Sequence, residues 1–183
     1  MMTLNGMVLV TPSSISHTGT SATINAGGSV SFTAVSVLSL NGVFSSAYDN
    51  YTIVAWATRS AGNVVDFRMR TAVPADDSSN LYYSQQLYAT STTVAGSLYY
   101  NPSTKGQLAY LDNALPTGFV CDIYGPYLAQ PTVLRNVIAD TFTSAEVYDV
   151  ATTHAVSTAF PGISILPTSG TMTGRLAVYG MRK

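Results

Sequence analysis

Apolar and polar positions alternate with a period of two through most of this chain, in short runs interrupted by Gly, Pro, Asn and Asp. A period of two over four to eight residues is the pattern of a strand with one buried face. Residues 4–10 alternate weakly up to Thr11-Pro12 and read as a first strand or extended arm, and 13–20, rich in Ser and Thr, reads as a loop. Runs at 22–26 and 30–35 flank Gly27-Gly28, which predicts a tight hairpin. Residues 37–40 lead through Asn41-Gly42 into an aromatic-flanked turn, Phe44-Ser-Ser-Ala-Tyr48, then Asp49-Asn50 and the β-branched and aromatic run Tyr51-Thr-Ile-Val-Ala-Trp56. This predicts a corner feeding a central strand. In 64–71, Val65, Phe67 and Met69 alternate with Asp66, Arg68 and Arg70, which predicts a half-buried strand with a solvated, mutually screened charged face.

The second half continues in the same way. Residues 73–80 have the chemistry of a surface loop, in which Asp77 or Ser78 could cap a helical turn. The stretch 81–88 reads better as a strand with Tyr83, Gln85 and Leu87 on one side. Residues 91–106 read as loop, and strands are predicted at 107–111, 119–124, 131–139, 145–150, 154–157, 163–166 and 174–181, with Gly125-Pro126 a firm stop. Ten to twelve short strands without an amphipathic helix predict an all-β fold, a jelly-roll-like antiparallel β-sandwich of a single domain. Residues 1–20 would supply its N-terminal strand or arm and 21–183 the sandwich. No period of about 20 to 50 residues points to a solenoid or propeller.

Composition narrows the partners. Charged residues make up 9% of the chain, against a usual share of about 25%. With 8 basic and 9 acidic side chains the net charge is −1, so no basic footprint exists for tracking a nucleic acid backbone. Little charge also means little colloidal repulsion, which points towards assembly. The single Cys121, inside an apolar run, reads as a buried inert thiol. No run approaches the ~18 apolar residues of a membrane span. The start, MMTLNGMVLVTP, lacks a signal-peptide pattern, so the chain is expected to be made, unprocessed, in a cytoplasm.

Candidate chemistry is sparse. His17 and His154 have no second ligand at metal-site spacing, no GxSxG elbow accompanies the serines, and Asp76-Asp77 lack the glycine-punctuated calcium-loop spacing. Asp140, Glu146 and Asp149 read as turn formers and rim residues. The expectation is a non-enzyme without metal or cofactor. Tyrosine, used 12 times, is more informative, because exposed rings give rigid area for contact with proteins or sugars. The candidate binding or interface residues are therefore Tyr99, Tyr100, Tyr82 and Tyr83, with Asp76, Asp77 and Asn80 of the neighbouring loop.

Three segments carry a family likeness: 40–54 (LNGVFSSAYDNYTIV), 124–132 (YGPYLAQPT) and 168–180 (TSGTMTGRLAVYG). Together with Val8-Leu-Val-Thr-Pro-Ser-Ser-Ile15 they resemble small virion proteins of tailed bacteriophages, described as minor tail, tail-fibre-like or head-associated. The resemblance implies a β-sandwich, often homotrimeric, displayed on the virion without enzymatic activity. The resemblance does not itself settle head against tail. Taken with the low charge, the Tyr-rich loops and the sparse chemistry, the leading expectation is a module of the tail or baseplate that contacts other virion proteins and contributes to host attachment, with a host-surface glycan as a candidate partner. The alternative is a capsid decoration or cement protein whose arm, residues 1–10, adds a strand to a neighbour. A polysaccharide-degrading glycosidase is a third, minor reading. No heptads or stalk repeats occur, so a short appendage or a plate lying on a shell is expected rather than a long fibre.

Overall fold

Short runs of this kind satisfy their backbone only by pairing with one another. The computed structural model describes residues 6–62, 64–72, 75–113, 115–139 and 146–183. Among the described residues there is no helix, and thirteen strands follow in order: β1 (Met7–Val10), β2 (Ser14–Ile24), β3 (Val30–Asn41), β4 (Asn50–Arg59), β5 (Val64–Arg70), β6 (Tyr82–Thr90), β7 (Thr93–Ser103), β8 (Gly106–Tyr110), β9 (Thr117–Tyr124), β10 (Thr132–Ala139), β11 (Glu146–His154), β12 (Gly162–Pro167) and β13 (Met172–Met181). They form one antiparallel sheet in the order β7-β6-β11-β10-β9-β4-β13-β3-β12-β5-β8, with β1 added to β13 and β2 to β3.

The sheet folds over at β3. Its first half, Val30 to Val35, pairs with β13, whereas Leu38 to Leu40 pair with β12. At the end of the first half Ala34 takes φ 48°, and across the β2–β3 hairpin a register shift places Gly19 at φ 128°. A Cβ on Gly19 would sit 2.2 Å from the Ala34 carbonyl oxygen, so this bulged bend requires glycine. Beyond it, β12, β5 and β8 lie as a second layer over β9, β10 and β11. Phe67, Met69, Leu108 and Ile163 from one layer and Phe119, Cys121, Ile123, Leu134 and Ile138 from the other are buried. This is an all-β, antiparallel sandwich in a single domain.

Side chains close the seam where β8 meets the opposite layer. The Gln107 amide donates to Ser84 Oγ (2.9 Å), Thr152 Oγ1 to the Gln107 carbonyl (2.8 Å), and Asn136 Nδ2 to the Leu108 carbonyl (2.8 Å). Gln107 Nε2 also reaches Gln86 Oε1 at 2.9 Å. Backbone groups of a buried edge strand are thus satisfied by inward-pointing polar side chains of β6, β10 and β11.

The predicted hairpin is present: the Asn25 amide donates to Ser29 O and the Gly28 amide to Asn25 O, both at 2.8 Å. The predicted corner is also present and packed. Phe44 and Tyr48 meet Tyr51 edge-on at centroid distances of 4.8 and 5.8 Å, and Tyr51 Oη donates to Ser45 O and accepts from Ser45 N.

Several expectations are corrected. Most of 13–20 is strand β2, not loop. Its side chains are largely exposed on both faces, so backbone pairing to β3 holds it without a hydrophobic pattern. The expected boundary at residue 20 falls inside β2. Most of 91–106 is strand β7, whose Pro102 is tolerated because β7 is the sheet's outer edge. The face of β5 carrying Asp66 and Arg70 is buried, not solvated. Asp149 lies mid-strand in β11 opposite Val137, not on a rim, and His154 ends β11 instead of opening another strand. Asp140 lies outside the described residues.

Candidate functional site

The segment linking β5 to β6 was expected to offer Asp76, Asp77 and Asn80 to a partner, but its carboxylates work inward. Asp76 Oδ1 pairs with Arg70 Nη1 and accepts from Ser164 Oγ at 2.6 Å. Arg70, only 6% exposed, also donates to Asn41 Oδ1 (2.8 Å), Ser39 Oγ (3.1 Å) and Ser164 Oγ (2.9 Å). The salt bridge therefore ties the connecting segment to β3, β5 and β12. Beside it Ser13, Ser14, Asn41, Thr71 and Pro161 line an open cleft of about 360 Å³. Asp77 Oδ1 accepts from the Ser79 amide (2.8 Å), an Asx-type turn, while Oδ2 lies 3.0 Å from His154 Nε2. Asn80 is exposed.

The tyrosine doublets divide. Tyr82 is fully buried, which corrects its reading as a contact residue. It stacks on His154 at 4.1 Å and meets Phe67 edge-on at 5.6 Å. Its hydroxyl donates to Asp77 O and accepts from the Met69 amide, both at 2.9 Å. His154, wedged between Tyr82 and Phe160, is itself fully buried, and burial holds its pKa below the ordinary imidazole value despite the neighbouring Asp77. Tyr83 points outward.

Tyr99 and Tyr100 sit at a bulge, because Gln85 pairs with Leu98 but Ser84 with Tyr100. The extra residue turns Tyr100 inward, where its hydroxyl donates to both oxygens of Asp66 (3.2 and 3.1 Å). Lys105 Nζ lies 2.6 Å from the same carboxylate. Burial raises the pKa of Asp66, and Lys105 and Tyr100 oppose that rise. Tyr99, half-buried, packs edge-on against Tyr100 at 4.6 Å. The doublet is an anchor of the β7 edge and only its partly exposed margin can meet a partner. Asp76, Asp77 and Tyr82 are brought together, Tyr99 and Tyr100 form a separate knot on Asp66, and Tyr83 and Asn80 alone remain outward.

The structure assembles a surface that reasoning about tyrosines missed. On the outward face of the larger layer, cross-strand neighbours run Val54, Val120, Val137, Asp149 and Leu87 from β4 to β6. Val54, Val137 and Leu87 are 39%, 53% and 55% exposed. Trp56, the single tryptophan, stands half-exposed at one corner beside Arg175, and Leu98 and Val147 extend the apolar margin. Its trace in the sequence is Phe119-Val-Cys-Asp-Ile and Val133-Leu-Arg-Asn-Val-Ile, strands apolar on both faces rather than one. Asp149 is neutralised where it stands, receiving Arg135 Nε at 3.2 Å and Nη2 at 2.7 Å. The arginine holds the Asp149 carboxyl below its ordinary pKa.

Among the described residues no group of three or more His, Cys, Asp or Glu is placed to hold a metal ion. No protein-family model and no curated protein matches the sequence. Among solved structures, the SPRY domain of human HERC1 is similar at 10% identity over 97% of this chain and 99% of that one, with a TM-score of 0.34. That likeness is too distant to inform the fold or the function.

Proposed function

We propose that the chain is a structural subunit of a tailed-bacteriophage virion, a rigid module displayed on the tail or baseplate that contributes to host attachment. The observation that supports this most is that two segments of the resemblance form one physical unit. Gly180 of the closing segment pairs with Tyr51 of the corner, and the Tyr48 ring lies so close over Gly180 that a Cβ there would sit 2.4 Å from it. Two loose motifs that jointly build one packed corner are stronger support for shared ancestry than either alone. The exposed apolar face suits a subunit that works in an assembly. Asn80, Tyr83 and the rim of the 360 Å³ cleft supply polar and aromatic groups for a host-surface glycan.

The capsid-cement reading depends on a free N-terminal arm. Met7 to Val10 instead pair with Met181 to Val178 of the same chain, which favours the tail reading. Immunogold labelling of intact particles, combined with a cell-binding assay of the purified chain, tests the proposal. Label at the tail with binding to host cells is expected. Label spread over the head without cell binding would replace it with the cement reading, and unlabelled particles would remove both.

A further inference from the structure

The outward face of β4, β9, β10, β11 and β6 is built as a second packing surface. Its valines are β-branched, held in few rotamers, and repeat from strand to strand at the same level. Including β13 and β7, the face spans seven strands, about 29 Å at ~4.8 Å per strand, and about 20 Å along β10. Its projected area, polar and charged positions included, is on the order of 600 Å², approaching the ~800 Å² per partner of a specific interface.

Charge selects the occupant. The charged side chains on the face are Arg135, Asp149, Asp122 and Arg175, two of each sign, and each has a partner within its own chain. Arg135 holds Asp149, Asp122 accepts from Thr52 Oγ1 at 2.8 Å, and Arg175 donates to Ser29 Oγ at 3.0 and 2.7 Å. A face with no net charge gives no attraction to an acidic or basic partner and no repulsion towards itself. We infer that this face packs against the same face of a second copy of the chain, as an isologous, sheet-on-sheet contact about 10 Å thick. The inference deepens the assembly part of the virion reading by naming its partner and surface.

Sedimentation velocity of the purified full-length chain over a wide concentration range tests it. The wild type is expected to dimerise, and Val137→Arg, which places an unpaired charge at the centre of the contact, to raise the dissociation constant by about tenfold or more. Val120→Arg, one strand away, should act alike. Ser16→Arg, exposed on β2 opposite Ser39, where β3 pairs with β12 in the other layer, should leave the dimer intact. Circular dichroism checks that each variant is folded, and Leu87→Arg takes the place of any that is not. A wild type that stays monomeric overturns the inference, including the case where another virion protein occupies the face. So does any oligomer that survives Val137→Arg and Val120→Arg together. The two readings fail separately: a dimer absent from virions keeps the interface and loses the function, and a monomer on the tail does the reverse.

Discussion

His154 shows how one buried side chain gives this protein a pH response. The unfolded imidazole takes its proton near pH 6.5, whereas burial between Tyr82 and Phe160 delays protonation in the folded chain. Below about pH 6.5 the unfolded state therefore binds more protons, and stability falls with pH. Asp77, 3.0 Å from Nε2, softens the loss without cancelling it. Asp66 has the opposite sign: its raised folded pKa gives a contribution complete below the ordinary carboxylate value and lost as pH rises through the folded one. His154→Phe keeps a ring in the stack and removes the titration. The urea midpoint of the wild type should drop between about pH 7.5 and 5.5, and that drop should vanish in the variant. An equal drop in both would assign the response to other groups. The adjacent tyrosines make a sharper contrast. Tyr82→Ala empties a fully buried position and should cost about 3–5 kcal/mol by analogy with buried aromatic truncations. Tyr83→Ala, on the outward side, should stay within about 0.5 kcal/mol. Equilibrium unfolding of the two variants decides it.

At the scale of elements, what could be read from the sequence was what is local. The Gly27-Gly28 hairpin and the 44–51 corner are specified by residues that touch their own neighbours, and both form as expected. Strand β2 was hidden because a Ser/Thr-rich strand exposed on both faces has no hydrophobic period, its register coming from β3. Strand β7 was hidden by its bulge at Tyr99, which breaks the alternation that would have marked it and sends Tyr100 inwards. The corner yields a coupling prediction. In Gly180→Ala the new methyl meets the Tyr48 ring at its root, where the side chain has little freedom to swing away. A loss of about 1–3 kcal/mol is expected, as for other overpacked sites. Tyr48→Ala should relieve the clash, so the double variant should be clearly more stable than the sum of the single changes predicts. Strict additivity would mean that the corner and the closing strand do not act as one unit.

At the scale of the molecule, the pairings of β12 with β3 and β5 and the closure of β8 over β10 and β11 join distant parts of the chain, which no local pattern encodes. The outward face was partly legible, since β9 and β10 carry apolar residues on both sides of the strand instead of alternating strictly with polar residues. The sequence alone did not show which of the two faces the chain leaves exposed, open to a second cover. If that cover is another copy, association must appear as stability, because the contact exists only between folded chains. Concentrations near a hundredfold above the dissociation constant add about 2.7 kcal/mol. At about 2–4 °C per kcal/mol for chains of this size, melting should rise by roughly 5–10 °C from dilute to concentrated samples. A net charge of −1 gives almost no long-range repulsion to oppose it. Val137→Arg, with a dissociation constant about tenfold higher, should gain only about 1.4 kcal/mol over the same range, roughly half the wild-type rise, and its dilute melting should match the dilute wild type because an exposed arginine costs a lone chain little. A wild type whose melting ignores concentration would leave the apolar face without a second copy. A variant that keeps the full wild-type concentration dependence would place the contact on another surface.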